Sequence, residues 1–251
     1  MKYRKSGTVM QTLEIELDPG DVIYSQTASM AWMTDTVRMS TGAGGGLFDG
    51  IKRTLTGGSF FITEFSATGP KAQVAFAPRF PGSIIAYPLK PGEQLICRKE
   101  TFLCAEKSVT VDIAWQRRIG AGFFGGTGFI LQSVTGPGTV FLDLSGEVVN
   151  KELGPGERLL VHAGHVGVHD ATITFDIEMV KGFGNILFGG EGLFLASLTG
   201  PGKVHLQSMP ILNLAEEIAR HLPEHQKHHT DDRVIDSAVG GLISNLLSRD
   251  D

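Results

Sequence analysis

Cysteine is nearly absent: Cys97 and Cys104 are the only two in 251 residues. In CRKETFLC they have neither the CxxC spacing of a zinc site nor flanking histidines to complete a tetrahedron, so two structural, reduced thiols are expected. Aromatic residues are sparse at 8 %. Long apolar runs are missing. Nowhere do about eighteen uncharged apolar residues follow one another, so no membrane-spanning helix is expected. The N-terminal MKYRKSGTVM carries charge but not the apolar stretch of a secretory signal. A cytoplasmic protein follows as the expectation. An excess of positive charge is missing too, with 22 basic against 27 acidic residues and a net charge of −5. With no overall basic field, DNA is not expected as a partner and RNA is disfavoured.

The signature motifs of common enzymes are also lacking: GxSxG, HExxH, the Walker lysine loop and the kinase set do not occur. Gly120, Gly122 and Gly125 in GAGFFG do satisfy GxGxxG. The dinucleotide mechanism needs a helix N-terminus behind those glycines, whereas the glycine-broken, β-like GTGFILQSVTGPG follows. His162, His165 and His169 in VHAGHVGVHD read as structural histidines, because His162 and His165 fall on opposite faces of a strand. His221, His225, His228 and His229 fall in a polar, solvated stretch. No catalytic, cofactor-binding or metal-binding residues, and no cofactor, are assigned.

What the chain has in quantity is glycine, 33 residues, with 11 prolines, a punctuation suited to many short strands. It is also written three times. SVTGPGTVFL (Ser133 to Leu142) returns as SLTGPGKVHL (Ser197 to Leu206), and SATGPKAQVAF (Ser66 to Phe76) is a third copy with Lys71 in place of glycine. Upstream of each copy lies a Pro-Gly corner: DPGD at Asp18 to Asp21, KPGE at Lys90 to Glu93 and GPGE at Gly154 to Glu157. Pro followed by Gly fits the two central positions of a type II turn. Between corner and TGP signal, each copy carries a glycine-rich, apolar segment. Such a fixed order implies three supersecondary units, at about 1–78, 79–145 and 146–210.

Within a unit the segments read as antiparallel strands. In ATITFDIEM, Ile173, Phe175, Ile177 and Met179 alternate with Thr172, Thr174, Asp176 and Glu178, the pattern of a half-buried strand. The expected architecture is all-β, three tandem antiparallel sheet repeats in a pseudo-threefold arrangement, each protecting its sheet edges against the next unit. The remaining 211–251 reads as a helical C-terminal tail of two short helices. The first, ILNLAEEIARHL, stops at Pro223; the second, from Val234, is weakened by Gly240 and Gly241 and needs a docking surface.

The three glycine-rich segments place large apolar residues beside cations: Leu47, Phe48 and Ile51 with Lys52 and Arg53; Phe123 and Phe124 with Arg117 and Arg118; Ile186, Leu187 and Phe188 with Lys181. A threefold arrangement would bring them out at one end, as a contact surface for an anionic membrane or a membrane protein. Inward folding or closure of an oligomer interface suits the same composition. The expectation is a self-associating, non-enzymatic scaffold or peripheral membrane module at the inner face of a membrane. A small-molecule-binding or enzymatic β-barrel with its pocket between repeats is the alternative, and RNA binding a further one.

The threefold TGP and PGE signals, the GGxG segments and the stretch GTVFLDLSGEVVNKELGPGERLLVHAGHVGVH resemble the altered-inheritance-of-mitochondria protein 24 family over about residues 1 to 210. The resemblance implies a fold similar to the tryptophan RNA-binding attenuation protein, of the double-stranded β-helix or sandwich type. It implies association with the mitochondrial inner membrane for the fungal member, and no catalytic residues. A likeness of fold does not carry over RNA or tryptophan binding. Trp32 and Trp115 are the only tryptophans, and no Lys/Arg ladder with aromatic platforms accompanies them.

Overall fold

The computed structural model of the chain describes residues 1–26, 29–42, 62–117, 129–180 and 193–221. Their regular secondary structure is almost wholly strand. One compact unit covers Met1–Asn213, and a second begins at Leu214. The repeats expected from the TGP and Pro-Gly signals are present, each as six strands in the same order. The first is β2 (Thr12–Leu17), β3 (Val22–Gln26), β4 (Met30–Met33), β5 (Val37–Gly42), β6 (Ile62–Ala67) and β7 (Ala72–Phe76), with β1 (Lys2–Ser6) ahead of it. The second is β8 (Gly82–Leu89), β9 (Gln94–Arg98), β10 (Phe102–Glu106), β11 (Thr110–Arg117), β12 (Phe129–Thr135) and β13 (Gly138–Ser145). The third is β14 (Val148–Leu153), β15 (Arg158–His162), β16 (Val166–Asp170), β17 (Thr174–Val180), β18 (Leu193–Thr199) and β19 (Gly202–Gln207).

The turn signals account for the repeated writing. Gly20, Gly92 and Gly156 all have positive φ, at 98°, 77° and 76°, as the second centre of a type II turn requires. The acidic residue that ends each signal closes its own corner: Asp21, Glu93 and Glu157 accept the backbone N–H of Asp18, Lys90 and Gly154. In the second and third repeats the TGP turn docks onto that corner. Gly136 N–H donates to the Glu93 carbonyl and Gly200 N–H to that of Glu157, both at 2.9 Å. A Cβ on Gly136 or Gly200 would lie 2.4 Å from a carbonyl oxygen, so the approach admits only glycine. In the first repeat Lys71 takes positive φ, 57°, and Gly69 packs beside Thr36 instead.

Each repeat splits its strands between two sheets. The first, sixth and third strands pair in one, as β8–β13–β10 and β14–β19–β16. The fourth, fifth and second pair in the next, as β5–β6–β3, β11–β12–β9 and β17–β18–β15. Successive repeats are then stitched by their second and third strands, β3 to β10 and β9 to β16, all antiparallel. The sheet orders are β1-β2-β7-β4, β5-β6-β3-β10-β13-β8, β11-β12-β9-β16-β19-β14 and β15-β18-β17. Among the described residues no sheet closes into a barrel.

Three apolar cores lie between consecutive sheets. Leu13, Ile15, Val74 and Phe76 meet Ile23, Phe65 and Phe141 in the first. Tyr24, Val140 and Leu142 meet Leu95, Cys97 and Val134 in the second. Phe129, Leu131 and Val204 meet Ile173, Ile177 and Leu198 in the third. The two middle sheets therefore carry apolar residues on both faces, and β12 is buried along six consecutive residues, Phe129 to Val134. Along β17 of the last sheet and the residue before it the alternation read from the sequence holds, with Ile173 and Ile177 buried and Thr174, Asp176 and Glu178 exposed.

One helix, α1 (Ile211–His221), follows the strands, where ILNLAEEIARH predicts it. The second tail helix expected from Val234 lies outside the described residues.

Candidate contact surfaces

The three glycine-rich segments join the fourth and fifth strands of their repeats, which pair as hairpins in every copy. The paired ends are Gly42 with Ile62, Arg117 with Phe129, and Val180 with Leu193. The segments thus leave equivalent hairpins at equivalent strand ends. Of the contact residues expected from the sequence, Arg117 closes β11. Leu47, Phe48, Ile51, Lys52, Arg53, Arg118, Phe123, Phe124, Lys181, Ile186, Leu187 and Phe188 lie outside the described residues.

Beneath the second hairpin the anchorage is aromatic. Phe129, fully buried, stacks on Phe175 with centroids 5.6 Å apart and planes 3° from parallel, and Trp115 meets both edge-on. His169 stacks on Phe175 at 5.9 Å, and the Arg98 guanidinium lies 5.1 Å over the Phe129 ring. Arg98 is itself buried, donates to the Gly164 carbonyl at 3.1 Å and pairs with Glu100 at 3.3 Å. It ties the second repeat to the third.

Several titratable groups are held singly by local partners. Among the described residues no group of three or more His, Cys, Asp or Glu is arranged to hold a metal ion. His165 Nδ1 donates to the Gln207 carbonyl at 2.8 Å, His205 Nδ1 to Asn150 Oδ1 at 2.7 Å, and His169 Nδ1 to the Asp170 carbonyl at 2.9 Å. Burial lowers the pKa of His169 and His205 below the usual range. Asp170 receives the Lys203 N–H at 2.7 Å. Glu106 receives that of Thr139 and Thr34 that of Gln73 at the same place in the other repeats. Asp170 is thereby a strand-capping acceptor. Both cysteines are free and buried, and burial pushes the Cys97 thiol up to about 12 and Cys104 well above its ordinary value.

Two features escaped the sequence reading. Asp143, on β13 in a middle sheet, is largely buried with Oδ1 lacking a hydrogen-bond partner, and burial raises its carboxyl to about 7. Its counterpart Gln207 on β19 is satisfied, donating to the Gly164 carbonyl and accepting from Ser145 N–H. The repeat alignment carries that signal, since an acid stands where the next copy has an amide. The second feature is a pair of apolar sheet edges. Trp32 and Met33 on β4 are 49 % and 37 % exposed, and Leu160 on β15 is 50 % exposed.

A family model described as "Mitochondrial biogenesis AIM24" matches residues 3–209, the whole three-repeat region. The chain belongs to that family. An uncharacterized protein of Streptococcus pyogenes serotype M6 is 31 % identical over 220 residues, covering 84 % of this chain and 86 % of its own. Among solved structures, the crystal structure of SPYM3_0169 from Streptococcus pyogenes superposes with a TM-score of 0.70 at 26 % identity, over 88 % of this chain and 99 % of that one. The all-β, three-repeat architecture of this AIM24-family chain thus has a crystallographic counterpart. No helix among the described residues is long and apolar enough to cross a membrane.

Proposed function

We propose that this AIM24-family protein is a non-enzymatic scaffold that contacts an anionic membrane surface, or a membrane protein seated in one, through its three glycine-rich segments. The observation that carries the reading is their equivalence: each joins the paired ends of the same hairpin in its repeat, and each combines large apolar residues with cations. Apolar side chains entering the headgroup boundary and cations attracted to anionic lipid add in free energy. Three modest contacts on one body gain further by effective concentration.

The reading is tested by flotation with vesicles of phosphatidylcholine alone and with added phosphatidylserine. Wild type is expected to float with the anionic vesicles, and Phe123→Ser/Phe124→Ser to float less. Identical sedimentation of wild type and variant from both vesicle types would overturn it.

A further inference from the structure

The N-terminal hairpin closes over a buried acid. β1 pairs with β2 along its whole length, from Lys2 with Glu16 to Ser6 with Thr12, and all five of its residues are exposed. The hairpin reaches across to β8 of the second repeat, which ends its own sheet. There the Val9 carbonyl accepts the Gly82 N–H, Gln11 Oε1 accepts the Ile84 N–H at 2.8 Å, and Lys5 Nζ donates to the Ile84 carbonyl at 2.9 Å. Tyr3 meets Phe141 edge-on, with centroids 5.0 Å apart.

Asp143 lies at that contact. It is the register partner of Ile84, and it stands two residues beyond Phe141 on β13, hence on the same face. Phe141 and Ile84 both belong to the first core, so Asp143 faces that core at the margin the hairpin covers. Its Oδ1 is out of water and without a hydrogen-bond partner. Few charges face it. From β1 comes Lys5, its ammonium engaged by the Ile84 carbonyl. On β2, Glu14 and Glu16 alternate with the buried Leu13, Ile15 and Leu17 and so face away. From β10 comes the buried Cys104 thiol, and in the turn before β10 Arg98 and Glu100 pair with each other. β8 and β13 bring no further charged residue, and Tyr87 of β8 packs against the second core. Burial is accordingly what raises the Asp143 carboxyl. In the third repeat the uncharged Gln207 holds the same position with both ends of its amide bonded.

We propose that the N-terminal hairpin is a latch gated by Asp143: β1 and the tip close over the neutral acid and swing off the β8 edge when it ionises, while β2 stays in its sheet. The direction follows from where the cost of a buried carboxylate without a donor is relieved most easily. β1 has a single neighbouring strand and lies exposed along its length, whereas Leu13, Ile15 and Leu17 of β2 are buried and β2 pairs with β7 as well. The closed state, with its carboxyl at about 7, holds the proton more tightly than an open state in which a solvated carboxyl titrates at about 3.9. Closure is therefore favoured at low pH and lost as the pH rises through 7. Release leaves the Gly82 and Ile84 backbone groups bare, an edge able to receive another strand. The latch does not depend on whether the glycine-rich segments meet a membrane.

Hydrogen exchange on the full chain tests it. The Gly82 and Ile84 amides are followed in wild type and in Asp143→Asn, and each wild-type rate is divided by that of the variant at the same pH, which cancels the intrinsic dependence of exchange on pH. Between about pH 5.5 and about pH 7.5 the ratio is expected to climb by about tenfold or more. Amides of β12 and β18 should remain about tenfold slower than these two throughout, the mark of a local opening. Asp143→Leu, apolar at the same place, is a second reference and should give the same ratio. A flat ratio, as when Lys5 turns to the carboxylate and the hairpin stays shut, would overturn the proposal. So would a climb shared at equal rates by β12 and β18, which marks unfolding of the whole chain.

Discussion

The middle sheets and the end sheets are built from the same strands and meet different fates. β10 and β16, with their partners β3 and β9, lie in the middle and hold Cys104, Val168, Tyr24 and Cys97 out of water. β4 and β15, at the ends, hold homologous positions and leave Trp32 and Leu160 half exposed. Homologous position therefore does not set burial in this fold; what lies on the far side of the strand does. A side chain buried twice by neighbouring repeats acquires its energetic weight from them and not from its own repeat.

The largest contrast is expected from truncation. Phe141→Ala opens a cavity against the first core and should cost about 3–5 kcal/mol. Trp32→Ala, at a half-exposed edge position, should cost less than about 1 kcal/mol. Chemical denaturation of both variants checks the difference, and equal losses would show that the end sheets are buried in the isolated chain as well.

Asp143 sharpens the comparison within the middle sheets. Its carboxyl titrates at about 7 in the folded chain and about 3.9 when unfolded, so the folded state holds the proton more tightly. The resulting stability is full below about pH 4 and disappears as the pH rises through 7, a loss of as much as about 4 kcal/mol. Below about pH 6.5 the lowered values of His169 and His205 act in the opposite sense. The difference between wild type and Asp143→Asn isolates the carboxyl. Thermal melts from pH 5 to pH 8 should show the variant gaining on wild type with each step. Parallel curves would mean that Asp143 is solvated.

The smallest effect separates the repeats. Gly136→Ala pushes a Cβ onto the Lys90 carbonyl, 2.4 Å away, and should cost about 2 kcal/mol. Gly69→Ala, at the same motif position in the first repeat, meets the Thr36 methyl at 3.1 Å and should cost less than about 1 kcal/mol. A pair of melts decides it.

Much of the fold was legible because its signals are local. Pro-Gly corners need glycine at positive φ, TGP turns need glycine against a carbonyl, and β17 alternates visibly. The exchange of half-sheets between repeats was not legible, since Tyr24 opposite Ala105 is a pairing that no short-range pattern announces. The free edges were hidden for the same reason. Trp32 and Leu160 look like core residues in sequence, and only the absence of a strand beside them in the described structure sets them apart. The sequence's contact residues stand almost wholly in the hairpin segments outside the described residues, with Arg117 at the rim.

Because every seam joins the second strand of one repeat to the third strand of the following one, the boundaries a gene would duplicate do not coincide with the boundaries of any sheet. A lone copy cut out along its sequence limits would carry two open half-sheets and no finished one. Growth or loss of this architecture by whole copies would leave the number of exposed termini of the sheet stack unchanged, whatever the length of the chain.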